Sequence, residues 1–223
     1  MNKQDTKNSG DLIFSDVTDL QDLSTMLRRL ETVGTAEIIF QTVDQVLSVY
    51  GCTQEQGGLL NKSNTVLVHR AYRLEEGSIP TGRATMPIRS VLDRLARLEA
   101  SETVLKTPES SLFVSWGGQL PRREGWRRKG ELNALSLKKV AQQGMERIAG
   151  LLPADAGAPV VEKIRKSVWD LEIAPKVPAG AAFALETLGF LDDVELVVLS
   201  VLEQWTRLSS KQGDVIVRGF LTQ

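Results

Sequence analysis

The sequence predicts an α+β fold that is mostly α-helical, and three observations predict it. Apolar side chains recur at the three- and four-residue spacing of helices over most of the chain. Between Gly57 and Gly77 the period shortens and β-branched residues dominate, the pattern of a small β-hairpin or sheet in the N-terminal half. The Pro- and Gly-rich stretch "PADAGAP" then sets off a helical C-terminal region. The expected organisation is an α+β region over 1–152 with a short polar arm at 1–15, a linker at 153–158, and a helical region over 159–223.

"DVTDLQDLSTMLRRLETVG" reads as a first helix. Thr18 is the expected N-cap, Gln21 completes a capping box, Leu20, Leu23, Leu27 and Leu30 share a face, and Gly34 is the stop. "TAEIIFQTVDQVLSVYG" reads as a second helix with Ile39, Val43, Val46, Leu47 and Tyr50 inward, forming a helical hairpin with the first. Strands are expected at 58–61 and 64–74 around the turn formers Asn61 to Asn64. "MPIRSVLDRLARLEASE" returns to helical spacing, and "SLFVSW" is a third short strand.

Pro121, the charges after it and Gly130 predict a loop, with helical phase resuming at about Ser136. Beyond the linker, helices are expected at 159–172 and 179–188, with a break at "APKVPAG" before the second. The last expected helix, "DDVELVVLSVLEQWTRLS", is apolar on most sides, so its own domain or another subunit must bury it. Such an element behind a linker suits exchange between copies of the chain.

Composition bounds the chemistry. At 223 residues, 42% of them hydrophobic and 25% charged, the chain can bury a core without disulfides. Cys52 is the only cysteine and His69 the only histidine, so a Cys-based or multi-His metal site cannot come from one chain. There is no GxxxxGK[ST] loop, no GxGxxG and no GxSxG elbow. No metal and no cofactor are expected. A Cys52–His69 dyad is the one nucleophilic pairing available, set against a structural cysteine and a strand histidine. The adjacent acids Glu75-Glu76 read as a turn, and Asp192-Asp193 as the start of a helix. The N-terminus has no apolar leader pattern, and no run reaches the roughly 18 apolar residues of a membrane span, so a cytoplasmic protein is expected.

Charge is unevenly distributed. Residues 1–50 hold 4 basic and 8 acidic side chains, 51–150 hold 16 and 10, and 151–223 hold 7 and 10. Inside the positive middle, "LPRREGWRRKGELNALSLKK" places Arg122, Arg123, Arg127, Arg128, Lys129, Lys138 and Lys139 around Trp126. Cations neutralise phosphates and an indole stacks on a base, so this is the candidate RNA- or DNA-binding segment. Arg70, Arg73, Arg83, Arg89, Arg94 and Arg97 could extend it. Two other readings stand beside it: a solvated helical face, and a positive surface that receives the acidic flank of another copy.

The function these features favour is a non-catalytic interaction or assembly protein that self-associates and contacts RNA or DNA through 122–139. One alternative is a cytosolic small-molecule sensor: two helices, a hairpin, a helix and a strand, in that order, loosely resemble the GAF class of sensory domains. A second is an enzyme without a recognisable motif.

Overall fold

The computed structural model describes residues 10–55, 63–78, 82–108 and 112–219. The chain divides into two compact units, Met1–Gly51 with His69–Gly118, and Cys52–Val68 with Gln119–Gln223.

The first unit contains β1 (Asp11–Ile13), α1 (Val17–Thr32), β2 (Glu37–Val43), β5 (Arg83–Pro87), α2 (Ile88–Leu95) and β6 (Val104–Lys106). It also holds the Val46–Gly51 part of β3 (Val46–Gln54) and the His69–Arg73 part of β4 (Thr65–Arg73). Its main strands run in the order β5-β2-β3-β4, and β1 pairs separately with β6. Helix α1 forms where its leucine spacing predicts, burying Leu20, Leu23, Met26, Leu27 and Leu30. Its cap is Asp16 and not Thr18: the Asp16 carboxylate accepts the Thr18 backbone N–H at 2.8 Å. That charge-assisted bond to the backbone holds the Asp16 carboxyl below the usual carboxylate value.

The predicted second helix is instead the β2–β3 hairpin, with Val43 opposite Val46 and Ile38 opposite Gly51. Its turn is only two residues, Asp44-Gln45, and Asp44 takes the left-handed conformation at φ 54°. Ile38, Ile39, Phe40, Leu47 and Val49 are all fully buried, which a pleated ladder with both faces covered permits. With that helix replaced by a hairpin, the element order that resembled a GAF domain is lost.

Strand β4 matches the predicted run 64–74, whereas the predicted strand 58–61 lies outside the described residues. Strand β5 has no counterpart among the expected elements, and α2 is shorter than its apolar spacing suggests. The described residues of "SLFVSW", 112–116, form no strand: Ser115–Gly118 is a 3-10 turn and Phe113 points into solvent.

The second unit contains β7 (Arg127–Asn133), α3 (Ala134–Leu151), α4 (Ala158–Trp169), β8 (Glu172–Ala174), β9 (Val177–Pro178) and α5 (Ala179–Thr187). It ends with β10 (Leu196–Leu202), β11 (Trp205–Ser209) and β12 (Asp214–Arg218). Its strands follow the remaining parts of β3 and β4 in the order β12-β11-β10-β7. The predicted all-round apolar helix over 192–209 is the β10–β11 hairpin. Glu203-Gln204 make its turn, with Glu203 left-handed at φ 54°, repeating the Asp44-Gln45 device. Pro175-Lys176 turn the small β8–β9 hairpin, here with the second turn residue, Lys176, left-handed at φ 63°.

The fold is therefore sheet-rich, built on antiparallel ladders, and not mostly helical. Helices α4 and α5 form close to where their spacing predicts them. No helix among the described residues is long and apolar enough to cross a membrane.

Candidate nucleic-acid interface

The basic segment, expected to be a loop as far as about Ser136, is irregular only up to Trp126 and then becomes a strand. Residues 127–133 form β7, the last strand of its ladder, paired to β10 with Arg127 opposite Val201 and Asn133 opposite Leu196. Arg128 faces Ser200 and Gly130 faces Leu199, so Lys129 is an extra residue, a β-bulge. Asn133 ends the strand and caps the next helix, its side-chain oxygen accepting the Ser136 N–H at 3.1 Å. Helix α3 thus starts at Ala134, and Lys138 and Lys139 lie in its second turn.

The stretch before β7 is anchored. The Trp126 indole N–H donates to the Arg122 carbonyl at 3.0 Å, and the Arg207 guanidinium of β11 lies 4.4 Å over the ring centroid. Gly125 takes φ 87° beside Leu202. Arg122 pairs with Glu203 at the β10–β11 turn, and the Gln204 side chain donates to Gln119 at 3.2 Å. One face of Trp126 is consequently occupied by Arg207, which leaves the other face or the ring edge for any further partner.

The cations fall into two groups. Arg122, Arg128 and Lys138 are paired with Glu203, Glu131 and Asp193, the last at 2.6 Å. The bond to Asp193 holds the Lys138 ammonium above its usual pKa. Arg123, Arg127, Lys129 and Lys139 are exposed and have no carboxylate partner among the described residues. Those four can meet an external anion without first breaking an ion pair. Helices α3 and α4 continue the positive character, with six cations against two carboxylates between them. Arg207 lies 81 positions from Trp126 in sequence, and only the strand register brings it over the ring.

The other candidate residues lie elsewhere. The Cys52 thiol donates to the Gln54 carbonyl at 3.2 Å, and burial, with Glu55 adding to it, pushes its pKa up, the reverse of an activated thiolate. His69 lies against the Tyr50 ring, centroids 4.7 Å apart. Glu75-Glu76 lie at a turn, which the Ser78 backbone N–H closes by donating to the Glu75 carbonyl at 3.3 Å. Asp192-Asp193 begin no helix; they precede β10, where Asp193 holds Lys138. Among the described residues no cluster of three or more His, Cys, Asp or Glu is arranged to hold a metal ion.

Residues 121–221 match a family described as a domain of unknown function, DUF8185, over less than half of the chain. No curated protein matches in sequence. The fold is similar to solved bacterial structures. A structure assigned as a DNA polymerase III beta subunit from Eubacterium rectale superposes with a TM-score of 0.53 at 10% identity, covering 96% of this chain and 65% of that one. The DNA polymerase III subunit beta of Pseudomonas aeruginosa gives 0.52 at 12% identity, with the same coverages. The pol III beta protein of Caulobacter crescentus gives 0.50 at 8%, covering 96% and 66%. The chain thus spans about two thirds of the length of the structures it matches. Its fold resembles that of a sliding clamp.

Proposed function

We propose that this chain is a DNA-associated, non-catalytic assembly protein that self-associates and touches phosphates through Arg123, Arg127, Lys129 and Lys139. The observation that carries the reading is this set of exposed cations, without carboxylate partners among the described residues, on β7, the stretch before it and the start of α3. Contacts of this kind are to the backbone of the polymer and carry no base code, so the binding is sequence-independent and falls with salt. The likeness to structures named DNA polymerase sliding clamps supports choosing DNA over RNA in this reading. Such a protein works by being held on DNA and by holding others there, and it needs no reactive side chain.

The test is fluorescence anisotropy of a labelled duplex and of a single strand at low salt. The reading expects binding of DNA without sequence preference. It fails if neither form of DNA binds.

A further inference from the structure

The polar edge of Trp126 is already engaged. Its indole N–H donates to the Arg122 carbonyl, so the side chain has no donor left with which to read the edge of a base. One ring face is taken by the Arg207 guanidinium. The residue is still only half-buried, and what it has to offer a ligand is the opposite π face.

Arg207 points to the same kind of ligand. Strand register sets it in one cross-strand row with Ser200 and Arg128, so these side chains share a face of the sheet. The guanidinium is half-buried without a carboxylate partner among the described residues, and its buried Nε–H has no acceptor among them. Its compensation is the π face of Trp126. A cation drawn out of water in this way favours an anion beside it.

We infer that this interface takes single-stranded DNA in preference to duplex: an unpaired base stacks on the open face of Trp126, and the adjoining phosphates lie on Arg207 and on Arg123 and Arg127, which flank the ring in the chain. The inference rests on the DNA-binding part of the proposed function and names the form of DNA.

A base inside a duplex has both faces against its neighbours and must leave the stack to reach an indole, whereas a single strand offers its base faces directly. Stacking is indifferent to sequence, in keeping with phosphate contacts that carry no base code. The ring is also held in place beforehand by the Arg122 hydrogen bond, by Arg207 and by the left-handed turn at Gly125, so little freedom is lost on binding. Cations alone would favour the duplex, whose charge density along its axis is about twice that of one strand. A preference for the single strand therefore reports the stacking.

The experiment is fluorescence anisotropy at low salt, on the whole chain, with three labelled ligands. They are a short oligothymidylate, a strand of the same length made of abasic residues, and a hairpin duplex with the same number of phosphates. Wild type is expected to bind oligothymidylate about tenfold more tightly than the abasic strand, the size of one base–indole stack, and more tightly than the duplex. Trp126→Leu should lose that tenfold on oligothymidylate and be unchanged on the abasic strand. Trp126→Phe, which keeps a π face, should recover most of it.

If circular dichroism shows that Trp126→Leu does not fold, the comparison of the two single strands on wild type still decides the matter. An equal loss by a folded Trp126→Leu on all three ligands would leave Trp126 a structural role only and overturn the inference. Equal binding of oligothymidylate and the abasic strand by wild type, or tighter binding of the duplex than of oligothymidylate, would also overturn it, while phosphate contact stands. If no form of DNA binds, both readings fall.

Discussion

Gly144 leaves the space that the Trp169 indole fills: a Cβ at this position of α3 would overlap the ring carbons Cζ3 and Cη2. The missing side chain lets α4 bring an aromatic ring flat against α3, where Phe183 of α5 stacks on it. Val168 and Trp169 belong to a cluster completed by Ala179, with Val140 and Ile148 packed around it. This packing joins the three helices behind the basic segment.

Gly144→Ala is therefore expected to destabilise the protein by about 1–3 kcal/mol, the usual cost of overpacking. Gly150, near the end of the same helix, has open space where a methyl group would sit, with no heavy atom within 4 Å. There Gly150→Ala should stabilise by up to about 1 kcal/mol through helix propensity. Urea unfolding of the two variants checks the pair, which should move in opposite directions.

Asp170, the residue that ends α4, fastens the β3–β4 connection. One of its carboxylate oxygens accepts from the Gln54 side-chain amide at 2.7 Å and from the Asn64 backbone N–H at 3.1 Å. Asp170→Ala strands both donors, with an expected loss of about 1–3 kcal/mol. Hydrogen exchange should show the Asn64 amide losing protection before the core strands do.

The Asp16 cap gives a pH signature. Its pKa is lowered by the Thr18 amide, so the cap stabilises the folded state above the ordinary value of 3.8 and loses that contribution as pH falls through the lowered folded value. The melting temperature of Asp16→Ala should lie below wild type at pH 7, and the gap should shrink on acidification. A gap that persists unchanged at pH 2 would contradict this assignment.

Burial raises the Cys52 pKa, so the thiol stays protonated near neutral pH. Iodoacetamide at pH 8 should leave the native protein unlabelled over a period in which the urea-unfolded chain reacts fully. Mass spectrometry of the two reads the difference directly.

Legibility in the sequence depended on the kind of signal each element carries. Helix α1 announces itself because Leu20, Leu23, Leu27 and Leu30 repeat at helical spacing and polar residues separate them. The β2–β3 and β10–β11 hairpins hide for two physical reasons. Strands covered on both faces are apolar at nearly every position, so Ile39, Val43, Val46, Leu47 and Tyr50 also satisfy helical spacing. Their two-residue turns, Asp44-Gln45 and Glu203-Gln204, place an acidic residue where glycine or asparagine is the usual marker of positive φ.

The basic segment was legible as charge and not as geometry. Arg122 finds Glu203 across 81 positions and Lys138 finds Asp193 across 55, so which cations are left for an external anion depends on strand register.

The most direct test is the salt dependence of DNA binding by wild type and by the combined variant Arg123→Gln, Arg127→Gln, Lys129→Gln, Lys139→Gln. For wild type the logarithm of the binding constant should fall linearly with the logarithm of salt concentration. The variant's slope should be shallower by roughly 0.9 for each duplex phosphate it no longer neutralises. An unchanged slope and affinity in the variant, or no binding by wild type at low salt, would contradict the account.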